Sequence, residues 1–323
     1  MSARSRVPFV RLFSSPPPQV GVELAARRVT VVVLAGGGAP VVAGHATEAL
    51  PEGALEPGIN SPNVLDPTAV SAALRRAFER VGVRPRRVGL VVPDPVAKVS
   101  LVRFDHVPAR AHDLAQMIRW QVRKAAPFRI EDAQVAHAPG LAIDGGGREF
   151  IVSIARRDIV EEYERVCTSV GAKAGLVDLA SFSLINAVLA VPGPSAPGDW
   201  MLLHATPEYS TLAIVRDRTL IFFRSRGAEA EESLVDLVHQ TMMYHEDRLG
   251  GGGIPRVVLT GVAAAGREHA DLVRRALEAR LGVAVESLDP RGAAALQDRI
   301  EADQALLDTL GSPVGLLVRE RAA

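Results

Sequence analysis

The sequence predicts a mixed α/β protein of two similar lobes, with a smaller α+β unit inserted into the first. Apolar, β-branched runs occur in consecutive groups over Val20 to Leu50 and again over Met201 to Arg224. Each group is followed by a helical pattern and a further short strand. Between 97 and 175 the texture changes to a strand, a helix, two strands around a tight turn and a second helix. The Pro/Gly-rich segment "VPGPSAPGD" at 191–199 divides the halves. Strands alternating with amphipathic helices bury their apolar faces only by layering, which is the α/β design.

The elements follow in order. A tail is expected over 1–19, because "MSARSRVPFVRLFSSPPPQ" carries Arg4, Arg6 and Arg11 without the unbroken apolar core of a secretory signal. Its alternative, suggested by Phe9, Leu12 and Phe13, is contact with an anionic membrane surface. The first lobe is assigned to 20–96 and 176–195. Here "VGVELAARRVTVVVLA" forms two strands around a charged turn and "APVVAGHATEAL" a third. Val70, Leu74, Phe78 and Val81 then recur at helical spacing up to Gly82, and "RRVGLVVPD" is a buried strand stopped by Pro93 and Pro95.

The insert over 97–175 comprises the strand "KVSLVRFDHVP", a helix over "RAHDLAQMIRWQVRKAAP", two strands about "DGGG" and the helix "RDIVEEYERVCTSVG". "AGLVDLASFSLINAVLA" is a strand running into a helix. The second lobe spans 199–323, with strands at Met201 to Leu203, Ser210 to Val215 and Thr219 to Arg224. A long helix from near Ala228 to Leu249 defines a helical subdomain over 228–254. The strand "PRVVLTG", a helix from Arg267 to Leu281 and the strand "VAVESLD" complete the lobe.

With 323 residues, 48% of them hydrophobic, the chain can build more than one core. Lys+Arg and Asp+Glu both number 37, so no net positive field exists to draw in nucleic acid, which is excluded as a partner. The single Cys167 forms no intrachain disulfide and points to a reducing, cytoplasmic compartment, with the thiol a buried structural group. No stretch reaches membrane-spanning length.

A hairpin that cradles phosphate needs a residue without Cβ where backbone N–H groups face the anion, and a short carboxylate to hold a metal through water. In the first hairpin those places hold Ala25 and Glu23. The most specific stretch is "ARAHDLAQMIRWQVRKAAPFRIEDAQV". Its helix ends in Trp120, with Arg123 and Lys124, Pro127-Phe128 and the acidic pair Glu131-Asp132 after it. With "VDLASFSLINA", "TLIFFRSR", "VVLTG" and "PVGLLVRE" in order behind it, the chain from Val20 onward resembles the type IV pilus assembly protein PilM family, cytoplasmic relatives of the cell-division protein FtsA.

That resemblance implies a bilobed actin-like (ribonuclease H-like) duplicated fold, with the α+β insert in place of the usual actin insert and its helices against the first lobe. It implies a groove between insert and first lobe that takes the short N-terminal cytosolic peptide of the membrane protein PilN. The function so implied is that of a scaffold, peripheral at the inner face of the cytoplasmic membrane, with other pilus platform or motor proteins as further partners. It also implies a nucleotide site between the lobes, with a D-x-G on each hairpin and a glycine-rich adenosine loop.

Each of these three parts is altered here. The first D-x-G corresponds to Glu23-Leu24-Ala25, with Thr30 where the family has a lysine; the second corresponds to His204-Ala205-Thr206. The adenosine loop keeps Gly261 but continues with Val262 and Ala263. Imidazole is a poor ligand for hard Mg²⁺, and added Cβ atoms take ligand space. The expectation is therefore a degenerate ATPase serving as an adaptor, with no cofactor, no metal and no catalytic residue, and with ATP/Mg disfavoured. Glu208 reads as a substitute carboxylate or a solvated turn residue. Two alternatives stand beside the adaptor: a GspL-like component of a type II secretion platform, and a working ATPase or sugar kinase on the same fold.

Remaining motifs receive structural readings. "YHEDR" sets His245 beside two acids without the second histidine of a zinc-protease helix, and reads as a solvated helix end. No serine has the flanking glycines of a nucleophile elbow. The glycine runs at Gly36 and Gly145 read as hairpin turns. Trp120 and Phe128 read as core residues or as peptide anchors. Arg119, Arg123 and Lys124 around the same helix make either a basic, aromatic partner-binding face or a solvated one. Met242 and Met243 read as a polymerisation or partner surface or as core, and Leu234, Leu237, Val238, Thr241 and Met242 show the core spacing.

Overall fold

Antiparallel strands β1 (Val20–Ala25) and β2 (Arg28–Leu34) meet with Ala25 opposite Arg28, and β3 (Val41–Ala49) extends the meander. The computed structural model describes residues 17–191, 198–228, 233–298 and 300–322. Most of the expected tail, the middle of the 191–199 linker and the first residues of the long second-lobe helix lie outside the described residues.

Alternation along β1 sends Val20, Val22 and Leu24 into the core beneath α1 (Pro67–Val81), and leaves Gly21 and Glu23 on the other face. Helix α1 starts where the Asp66 carboxylate accepts from the Ala69 N–H and Pro67 sits in the first turn; it stops at Gly82, whose φ is 74°. Strand β4 (Arg87–Val92) then runs parallel to β1 on the side away from β2.

The insert is a three-stranded antiparallel sheet of β5 (Ala97–Phe104), β6 (Ala133–Ile143) and β7 (Gly147–Arg156), in the order β5-β7-β6. Helix α2 (Ala111–Val122) buries Ile118 and Val122 against Phe150, Val152 and Ile154 of that sheet. It ends at Val122, short of the predicted Pro127.

The insert itself ends earlier than the predicted residue 175. Helix α3 (Arg157–Ser169) sends Ile159, Tyr163, Val166 and Cys167 into the core that α1 covers, and β8 (Lys173–Leu179) pairs in parallel with β4 as the sixth strand of the first sheet. Helix α4 (Ala180–Ala190) follows directly.

The second sheet repeats the plan. Strands β9 (Trp200–Ala205), β10 (Tyr209–Arg216) and β11 (Thr219–Gly227) form its meander, and β12 (Arg256–Thr260) and β13 (Val285–Ser287) add in parallel beyond β9. Helices α5 (Leu234–Leu249) and α6 (Arg267–Leu281) cover one face. Leu237, Val238 and Leu277 join Met201, Leu203 and Leu212 in one core, so α5 is a layer within this lobe.

The C-terminal run crosses back, which the division at 199–323 did not anticipate. Strand β14 (Ala295–Leu296) pairs with β3, and α7 (Gln304–Ala322) packs Val314, Leu317 and Val318 on Val32, Leu34 and Val42. The reason is complementarity of apolar surface: the first sheet has a second face to cover, and α7 carries the matching stripe. Helix α7 thereby reaches both lobes.

Candidate functional site

The first hairpin enters the cleft with Glu23, 5% exposed near the end of β1. Its Oε1 accepts from the Ser312 hydroxyl of α7 at 2.5 Å and its Oε2 from Arg28 Nη2 at 3.3 Å. Thr30, directly opposite Glu23 in the ladder, is fully buried, with Oγ1 3.5 Å from Thr47 Oγ1. Ala25 is half-buried at the strand end.

The second hairpin brings His204 to the end of β9, above the start of α4. Its Nδ1 lies 3.3 Å from Ser181 Oγ and 3.5 Å from Asp94 Oδ2. Asp94 is fully buried and accepts from both the Ser181 N–H (2.9 Å) and the Ser181 hydroxyl (2.5 Å). The Tyr209 ring meets His204 edge-on at 5.3 Å. Burial pushes the Tyr209 phenol well above its ordinary value, reinforced by the Asp94 and Glu23 charges.

Thr206 closes the adjoining turn. Its Oγ1 accepts from the N–H groups of Glu208 (3.3 Å) and Tyr209 (3.1 Å) and donates to the Tyr209 carbonyl at 3.1 Å. At the hairpin tips Arg27 donates to Glu208 at 2.6 Å. Glu208 is thus a partly exposed turn residue, as one reading of its sequence context had it, and it links the tips of the two hairpins.

The loop after β12 completes the cleft. Gly261 has φ 91°, and a Cβ there would stand 2.5 Å from the Ala205 carbonyl. The glycine serves the close approach of the loop to β9. The Gly261 N–H donates to Asp308 Oδ2 at 2.9 Å and the Ala263 N–H to the same oxygen at 3.3 Å. Thr260 Oγ1 (3.2 Å) and Gln304 Nε2 (3.1 Å) donate to Asp308 Oδ1. Burial pushes the Asp308 carboxyl upward, opposed by these four hydrogen bonds.

Sequence reasoning missed Asp308, Ser312, Asp94 and Ser181. The available signal was polar residues inside apolar stretches, as in "LLDTLGSPVGLL", where a buried polar side chain demands a partner. Among the described residues no group of three or more His, Cys, Asp or Glu is placed to hold a metal ion.

Outside the cleft, the end of α2 is open. Trp120 is 73% exposed, so its core reading is overturned, and Arg123 and Lys124 beside it are exposed. Phe128 is half-buried against the insert core, and Arg119 Nη2 donates to the Ile130 carbonyl at 2.7 Å, tying the helix to the following turn. Three of the five proposed partner residues therefore face solvent, and two hold the local structure.

His245 is not a solvated helix end. It is fully buried, with Nε2 2.5 Å from Asp199 Oδ2, and Asp199 is also gripped through both oxygens by Arg216. The Arg216 hydrogen bonds, aided by His245, hold the Asp199 carboxyl below its ordinary value. Cys167 is buried as expected, its thiol pushed up to about 12 by burial.

Two sheets of meander-plus-parallel plan, with α7 packed on the first and α4 on the second, define an actin-like bilobed protein. The family model for the type IV pilus assembly protein PilM matches residues 21–247, and the chain belongs to that family. Among solved structures, the PilM-PilN type IV pilus biogenesis complex aligns with a TM-score of 0.79 at 18% identity, covering 94% of this chain and 99% of that one. The cytoplasmic domain of EpsL, an inner membrane component of the type II secretion system of Vibrio cholerae, aligns at 0.48 and 11% identity over 94% of each chain. A Bacteroides thetaiotaomicron protein with an actin-like ATPase fold aligns at 0.46 and 10% identity, over 83% of this chain and 90% of that one. No curated protein matches the sequence. Among the described residues no helix is long and apolar enough to cross a membrane.

Proposed function

We propose that the protein is a nucleotide-independent scaffold of a type IV pilus assembly platform. It docks the N-terminal cytosolic peptide of a PilN-like membrane protein and is held by that partner at the cytoplasmic face of the inner membrane. The observation that carries this reading is the cleft: Glu23, His204, Thr206 and the Gly261 loop have their hydrogen-bonding groups satisfied by the chain itself. A nucleotide entering there would displace several such bonds, each displacement costing about 1–3 kcal/mol where a buried polar group is left unpaired.

Family membership and the likeness to a PilM solved with PilN support the choice of partner. The peptide site rests on the end of α2, where Trp120, Arg123 and Lys124 offer an apolar ring and positive charge to a peptide while Arg119 and Phe128 hold that surface in place.

A pull-down with a PilN-type N-terminal peptide, with and without nucleotide, tests the scaffold, and calorimetry with Mg-ATP tests the cleft. The expected outcome is peptide capture that ignores nucleotide, with no heat of ATP binding. Tight Mg-ATP binding that Glu23→Ala removes, or capture only with ATP, overturns the reading.

A further inference from the structure

We propose that the edge of the first sheet from which β1, β4 and β8 start is a docking face for an anionic lipid bilayer. The contact needs no PilN-like partner and holds the first lobe at the membrane by itself.

Parallel pairing brings the starts of these three strands to one edge. There the run Arg84-Pro85-Arg86-Arg87 leads into β4, and Lys173 opens β8, its N–H donating to the Arg86 carbonyl at 3.0 Å. Arg84, Arg86 and Lys173 are exposed, and among the described residues none of the three has an acidic partner. Arg321 of α7 reaches the same edge and donates to the Ala35 carbonyl. The turn from Ala35 to Pro40 that joins β2 to β3 there carries no charge to offset them.

Between the ends of α1 and α3 this edge opens into a groove of about 860 Å³, with Arg75, Glu79, Arg84 and Arg86 around it and Phe78 and Val170 in its lining. Guanidinium groups beside apolar side chains suit a phospholipid, whose phosphate and first methylenes meet a protein together. Farther along α1 the pattern is different: Arg76 and Arg80 are both neutralised by Glu48.

A second observation comes from the chain that enters here. Pro18 packs at this edge, its ring 3.5 Å from where a Cβ on Gly89 would stand, so residues 1–16 join the protein at the same face. They carry Arg4, Arg6 and Arg11 with Phe9, Leu12 and Phe13, and the first acidic residue of the chain is Glu23. Apolar insertion and a polybasic surface are each marginal alone and stable together on anionic lipid. An acidic protein would answer the charges but not the phenylalanines. Because the net charge of the chain is zero, the attraction is confined to this face.

The test is co-sedimentation of the full chain with vesicles of phosphatidylcholine, alone or mixed with phosphatidylglycerol. Wild type is expected to sediment only with the mixed vesicles and to be released by about 1 M salt, which shortens the screening length to about 3 Å. Arg84→Glu with Arg86→Glu is expected to weaken binding about tenfold or more. Should that pair fail to fold, Lys173→Glu alone reads the same face and is expected to weaken binding about fivefold. Arg84→Lys with Arg86→Lys is expected to bind as wild type, because a charged surface reads charge rather than the guanidinium fork. Arg275→Glu with Arg280→Glu, exposed on α6, changes the net charge equally and is also expected to bind as wild type.

No sedimentation of wild type, equal binding to phosphatidylcholine alone, binding that ignores the glutamate variants of the edge, or an equal loss in the α6 pair overturns the proposal. Loss in the lysine pair overturns it too, in favour of a carboxylate-bearing protein that needs the bidentate fork. The scaffold reading fails separately, when a PilN-type peptide is not captured in lipid-free solution.

Discussion

The interlobe cleft and the end of α2 are opposite solutions to surface chemistry. In the cleft, Asp94, Ser181 and His204 are nearly or fully buried and bonded to one another, and Glu23 and Asp308 each accept from the chain. At the end of α2 an indole stands 73% exposed beside two free-standing cations. A ligand entering the first region must break bonds to make its own. A partner covering the second removes apolar area from water at roughly 25 cal/mol per Å². The difference teaches that the polar groups between the hairpins are bonded within the chain, whereas the end of α2 leaves its indole and cations open to solvent.

The comparison can be broken most directly at Asp94. Asp94→Ala leaves the Ser181 hydroxyl and His204 without their buried acceptor, and a loss of about 3 kcal/mol is expected in denaturant unfolding. A loss near zero would mean that these polar groups are not bonded within the chain.

Gly261→Ala is expected to cost about 2 kcal/mol, because it forces an alanine to φ 91° with its Cβ against the Ala205 carbonyl. A substitution that left stability intact would show that the loop has room for a ligand after all.

A third measurement supplies a control distant from both regions. The Asp199 carboxyl is held below its ordinary value, chiefly by Arg216, so its contribution is complete above the unfolded value of 3.8 and is lost as pH falls through the lower folded value. Asp199→Asn should therefore be less stable than wild type by about 1–2 kcal/mol at neutral pH, with the gap closing below about pH 4. A gap that widened in acid would contradict the assignment.

The smallest stability effect is expected at Trp120. Trp120→Ala should leave unfolding unchanged within about 0.5 kcal/mol while weakening capture of a PilN-type peptide about tenfold. Equal loss of stability and capture would place the indole in the fold rather than at a surface for partners.

How far the molecule was legible depended on the range of the interactions concerned. The valine alternation of β1 and β2 and the stripe Val70, Leu74, Phe78 identified those elements because each pattern is local. Helix α3 was equally visible as a helix, yet its stripe of Ile159, Tyr163 and Cys167 says only that it covers something apolar. That the something is the α1 side of the first sheet emerged from packing. His245 reversed its reading for the same reason. A histidine beside two acids looks solvated until Asp199, 46 residues away in sequence, comes to its ring.

The sequence by itself determined two α/β halves, the altered residues at both hairpins and the family to which the chain belongs. Tertiary structure alone decided that α7 returns to the first lobe, that Asp308 fills the loop after β12, and that Ser312 meets Glu23 across 289 residues of chain. Periodicity is imposed by backbone geometry over a few residues and so is written in the order of the side chains. The partner of a buried polar group is chosen by whichever surface folds against it, and that choice exists only once the lobes have packed.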